Sequence, residues 1–148
     1  MDVLTFLKDE HDEVKDVFAR LEKTKGQQAE HLWEQLRDML TLHETMEETF
    51  FYPRLKQDSR AEDLILEGYE EHHVMDVLIG EISQFNPADE QWQPKLNVLQ
   101  ENTEHHIKEE EDELFPKVRK IWDTATRNEV GKLMEQMKGE HRKERRAA

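Results

Sequence analysis

Residues 43–53 read HETMEETFFYP, and residues 106–116 read HIKEEEDELFP. One constant offset of 63 residues relates His43 to His106, Glu47 to Glu110 and Pro53 to Pro116. Each stretch is a copy of His-x-x-x-Glu-Glu with a proline ten residues after the histidine. On an α-helix, positions i and i+4 lie on one face, one turn apart. Each copy therefore points an imidazole and a carboxylate the same way, about 6 Å apart along the axis. A bound metal ion uses such a pair, whereas a solvated helix face does not need it.

The flanking chain reads as helices. A first helix is predicted over about 2–24, with Val3, Leu7, His11, Val14, Phe18 and Leu21 as its inward stripe and Gly26 as its terminator. A second runs from about 28 to 53 or slightly beyond, on Leu32, Leu36, Leu40, His43, Glu47 and Phe50, with Pro53 expected to kink or end it. Ser59 and Glu62 have the spacing of a capping box for a third helix over about 60–85, striped by Ile65, Tyr69, His72, Met75, Ile79 and Ile82. Asn86-Pro87 reads as the start of a fourth helix over about 88–122, striped by Trp92, Leu96, Leu99, Thr103, His106, Glu110, Leu114 and Val118. A short fifth helix is expected over about 126–138, with a frayed, solvated basic tail at 141–146.

Histidine therefore falls inside an apolar stripe on each of the four long helices. The midpoints between successive stripe histidines fall beside Gly26, in the 57–59 turn and just after Asn86-Pro87. Helices folded back at those turns bring all four imidazoles to one level. The expected fold is all-α, an up-down-up-down four-helix bundle (about 1–122) with a short C-terminal fifth helix, in a single domain over 1–148.

Composition agrees with that architecture and narrows the function. In 148 residues, 35% are hydrophobic and 38% charged, with few Gly and Pro, as in amphipathic helices with one buried stripe. The absence of cysteine excludes disulfides, thiolate zinc and Cys-ligated iron–sulfur clusters. A net charge of −14 argues against nucleic acid as a partner. With no signal-peptide pattern and no membrane-length apolar run, the expectation is a cytoplasmic protein without a membrane partner.

The inward groups at the common level are His11, His43, Glu47, His72, His106 and Glu110. Buried, unpaired carboxylates cost several kcal/mol each unless paired or metal-bound. Six such groups exceed one tetrahedral zinc and suit a pair of metals bridged by two carboxylates, with two irons as the natural occupants. His73 and His105 are the neighbouring alternatives to His72 and His106. Glu44, Tyr69 and Asp76 are placed as hydrogen-bonding neighbours or further ligands. Without metal, Glu47 or Glu110 is expected to hold a proton near neutral pH.

Glu10-His11, HETMEETFFYP, EEHHVMDVL around His72 and HHIKEEEDELFP together resemble a hemerythrin-like domain, the family named for its His-His-Glu cation-binding motif. The resemblance implies a non-haem centre of two iron ions, oxo- or hydroxo-bridged, that takes a small diatomic molecule or peroxide. It implies oxygen, nitric oxide or iron sensing, storage or iron handling. The invertebrate oxygen carriers of that family have a further histidine one turn after the one on the third helix, where this chain has Asp76. They space the last pair by five, which His105 and Glu110 also match. Two octahedral irons offer roughly 12 positions, of which four imidazoles, two bridging carboxylates and a bridging oxygen fill roughly 10. The positions left open suit an enzyme reducing peroxide or nitric oxide as well as a binding protein. A ferritin-like di-iron oxidase requires Glu-x-x-His on two helices, and only Glu70 to His73 supplies one.

Overall fold

The computed structural model describes residues 1–147, and among them every regular element is helical. α1 spans Val3–Glu22 and α2 spans Gly26–Met46. α2 then widens into a π-helical turn over Glu47–Phe51 and runs on as Tyr52–Lys56. α3 spans Glu62–Ile82. α4 spans Trp92–Glu109, widens in the same way over Glu110–Leu114 and continues as Phe115–Ile121. α5 spans Thr124–Ala147.

The two π turns share a cause. Pro53 and Pro116 have no N–H to give, and a proline ring in an α-helix clashes with the carbonyl four residues back. The residue ahead of each proline reaches one residue further instead: the Tyr52 N–H donates to the Glu47 carbonyl, and the Phe115 N–H to the Glu110 carbonyl. Pro53 therefore neither ends α2 nor simply kinks it.

Other boundaries differ from expectation. Gly26 does not close α1, which ends at Glu22; it takes a left-handed φ of 67° and opens α2. No Ser59–Glu62 capping box forms. The Asp58 carboxylate takes the Arg60 N–H and guanidinium, and α3 starts three residues after Ser59 without a side-chain cap. Asn86 closes a local turn onto Ala88 rather than capping a helix, so α4 begins at Trp92, with Pro94 in its first turn where a missing N–H is harmless. α5 is much longer than expected, and its basic end is anchored. Arg127 pairs with Asp2 at 2.8 Å, Lys138 with Glu10, and His141 and Arg145 with Asp38 at 3.0 and 2.8 Å. Gly131 lets α5 approach the N-terminus so closely that an added methyl would collide with the Met1 carbonyl.

The apolar core has two parts. One gathers Leu7, Phe51, Leu55, Ile65, Phe115, Val118 and Met134. The other gathers Phe18, Leu21, Trp33, Leu36, Ile79, Ile82, Trp92 and Leu99. A polar layer belongs to neither part: Glu10, His11, His43, Glu44, Glu47, His72, Thr103, His106 and Glu110 are all buried. Each large apolar side chain on either side contributes about 1.5–3 kcal/mol by its burial. That surplus is what lets the fold carry a layer of charge between them.

Candidate metal centre

α1 delivers His11 to the polar layer, α2 His43 and Glu47, α3 His72, and α4 His106 and Glu110. Ligand-capable atoms of His11, His43, Glu47 and Glu110 lie within 4.8 Å of one another, and so do those of Glu47, His72 and His106. Glu47 belongs to both groups: its Oε1 stands 3.2 Å from His43 Nε2 and 3.1 Å from His72 Nε2. Glu110 spans the same gap, with Oε1 at 3.3 Å from His11 Nε2 and Oε2 at 3.4 Å from His106 Nε2. The structure thus brings all six residues into one cluster. His73 is exposed, and His105 is 68% exposed and turned to a separate group.

Three of the four imidazoles are hydrogen-bonded from behind, and the fourth faces a carboxylate. His11 Nδ1 hydrogen-bonds to Glu111 at 2.7 Å, His72 Nδ1 to Glu48 at 2.8 Å and His106 Nδ1 to Glu71 at 2.7 Å, while His43 Nδ1 faces Glu10 at 3.6 Å. A carboxylate on Nδ1 directs the Nε2 lone pair at the common centre, the arrangement metal-bound histidines ordinarily have. The pattern is two-fold. In Glu47-Glu48 and Glu110-Glu111 the first carboxylate points in and the second orients a histidine of another helix. In Glu10-His11 and Glu71-His72 the histidine points in and the glutamate orients a histidine of a neighbouring helix. Reading one stripe per helix missed these four carboxylates, although the repeated dipeptides carried the signal.

Tyr52 was missed as well. It is buried, and its hydroxyl donates to Glu110 Oε2 at 2.6 Å and lies 3.4 Å from both His72 Nε2 and His106 Nε2. Its ring stacks on His72 with centroids 5.2 Å apart. Phe115, which occupies the same place in the second copy of the repeat, stacks on His11 at 6.1 Å. At this place the two copies differ by one hydroxyl. Tyr69 is only partly buried and packs edge-on against Tyr52. Glu44 is buried outside the cluster; burial and the Asp76 and Glu48 carboxylates beside it push its carboxyl up to about 10. Asp76 itself is exposed.

Without a bound ion the layer is a dense set of coupled charges. Burial pulls the His43 imidazole down, but attraction to the Glu47 carboxylate and to Glu10 beside it outweighs burial and raises the ring to about 10. His11 and His106 are raised in the same way, against burial, by Glu110 and its neighbours. Burial pushes Glu47 and Glu110 up, yet the histidines around them hold both below the usual carboxylate range. The expectation that one of these carboxyls keeps a proton is therefore reversed: His11, His43 and His106 are favoured to hold it. Four inward atoms, His11 Nε2, His43 Nε2, Glu47 Oε2 and Glu110 Oε1, still have no hydrogen-bond partner. Orphaned, buried donor atoms of imidazole and carboxylate type aimed at one another fit a metal ion.

A helical fold with such a layer defines a cation-binding helical domain. The chain belongs to the hemerythrin family: residues 2–118 match the hemerythrin HHE cation binding domain. A solved structure of a hemerythrin HHE cation binding domain-containing protein from Mycobacterium kansasii has a similar fold, with a TM-score of 0.82 and 21% identity over 95% of this chain and 89% of that one. Among curated proteins, a DNA nickase from Nostoc sp. (strain PCC 7120) is 23% identical over 95% of this chain. The chain spans only 42% of that protein's length. Among the described residues no helix is long and apolar enough to cross a membrane.

Proposed function

We propose that the chain is a single-domain, non-haem di-iron protein that binds dioxygen or a related small oxidant, peroxide or nitric oxide, in sensing, storage or iron handling. The observation that carries this reading is the sharing of Glu47 and Glu110 between two histidine pairs. His11 and His43 would hold one iron, His72 and His106 the other, and the two carboxylates would bridge them. Iron held there would supply reversible electron transfer and positions open to a small ligand. The chain's own groups orient the imidazoles through their Nδ1 atoms, keep apolar side chains above and below the layer and place the Tyr52 hydroxyl at its centre. The up-down-up-down order of α1 to α4 belongs to this reading, supported by the way the two apolar clusters flank the layer.

Tyr52 favours a second reading, a redox enzyme that reduces peroxide or nitric oxide, because its hydroxyl is a proton-bearing group among the candidate ligands. Turnover of peroxide or nitric oxide by the iron-loaded protein well above that of free iron would select it. The DNA activity in the name of the longer Nostoc relative is disfavoured for this chain by its net charge of −14. A cytoplasmic setting remains part of the proposal. The primary test is elemental analysis after expression in iron-replete medium, with about two irons per chain expected. One zinc and no iron would refute the di-iron centre.

A further inference from the structure

We infer that Glu71, His105 and Glu109 form an outer site for a first-row divalent cation, from which metal is loaded into the buried centre; this rests on the di-iron reading above. His105 and Glu109 stand one turn apart on α4, and Glu71 faces them from α3. One ligand-capable atom from each lies within 4.8 Å of the other two. His105 Nε2 is 3.2 Å from Glu109 Oε2 and 3.6 Å from Glu71 Oε2. An imidazole nitrogen with two carboxylate oxygens is a mixed donor set suited to ferrous iron, manganese or zinc. Glu67 adds a further carboxylate beside Glu109. Among the described residues no lysine or arginine pairs with Glu67, Glu71 or Glu109. The exposed ring of His105 leaves one side open, where an arriving cation keeps its waters.

Two features connect this group to the interior. Glu71 is shared, with Oε1 accepting from His106 Nδ1 at 2.7 Å while Oε2 faces His105. A small void of about 10 Å³ is lined by Glu71 and Glu109 of the outer group, by His106 and Glu110 of the inner one, and by Leu64 and Leu114. That is room for about one water-sized particle. Gly68 and Tyr52 line the same void, and no side chain at Gly68 fills it. The outer group and candidate ligands of the inner centre therefore share one small void, which is the route the proposal assigns to the ion.

The test compares the parent with His105→Ala, whose lost side chain is mostly exposed. Ferrous iron is mixed anaerobically with metal-free protein and the filling of the centre is followed in time. His105→Ala should fill roughly tenfold more slowly, the order of loss that a missing metal-supporting group produces, yet reach the same final iron content. Zinc titrated calorimetrically into the iron-loaded parent should bind at about one site that His105→Ala lacks. Equal zinc binding in the two proteins would overturn the site. Lost zinc binding with equal filling rates would overturn its loading role. If neither protein retains iron, the di-iron reading fails, and zinc titrated into the two metal-free proteins decides the outer site, with one binding event fewer expected in His105→Ala and equal binding overturning it.

Discussion

Tyr52→Phe removes one oxygen from the centre of the polar layer and leaves the ring that stacks on His72. In the metal-free protein the lost contact is a 2.6 Å hydrogen bond to the buried, ionised Glu110. A hydrogen bond to a charged group is worth about 1.5–3 kcal/mol, and here Glu110 Oε2 would keep only His106 at 3.4 Å. For a chain of this size, that loss corresponds to a fall in Tm of roughly 3–12 °C. Phe115 shows that a bare ring is accepted at the same place in the other copy of the repeat, so the variant should fold. The measurement is thermal unfolding of chelator-treated parent and variant by circular dichroism. The iron-loaded pair is compared by visible absorption, where loss of a donor beside Glu110 should shift the bands. An unchanged Tm together with an unchanged spectrum would refute the assignment of Tyr52 to the centre.

Three further outcomes follow from the same geometry. The folded-state value of His43, about 10, lies above its ordinary 6.5, so its stabilisation of metal-free protein is complete below about 6.5 and is lost as pH rises toward 10; Tm of the chelated protein should fall over that range, while metal affinity should rise as the imidazoles shed protons, and a chelated Tm that climbs with pH would contradict this. Glu111→Gln weakens the support behind His11, and equilibrium iron binding should loosen about 10–100-fold, as checked by competition with a chelator. Gly68→Ala places a methyl 2.8 Å from the Tyr52 hydroxyl, so it should reproduce the spectral change of Tyr52→Phe although it removes no polar group.

The helices and the inward histidines were legible because both depend on a 3.6-residue period. His11, His43, His72 and His106 each occupy an apolar phase, and the structure buries all four. Tyr52 was hidden because the period fails where it lies. The π turn carries the Tyr52 N–H to the Glu47 carbonyl, which brings Tyr52 beneath Glu47 although five residues separate them. Glu10, Glu48, Glu71 and Glu111 were hidden for another reason: they sit beside the stripe and reach sideways to a histidine on a different helix, a contact no single-helix pattern encodes. The end of α5 was misread because charge alone suggests solvent, while its partners Glu10 and Asp38 lie more than 90 residues away in sequence.

The two π turns also govern how this chain can vary. Between residues 48–53 and 111–116, the copies share only the first glutamate, an aromatic ring and the proline, yet they keep the same number of residues. Each turn holds one residue more than an α-helix needs to bring Tyr52 under Glu47 or Phe115 under Glu110. Deleting that residue would close the turn into an ordinary α period with Leu55 or Val118 still facing the core, but Pro53 or Pro116 would then meet the carbonyl four residues back. The extra residue and the proline therefore belong together, and a chain that loses one without the other should be destabilised.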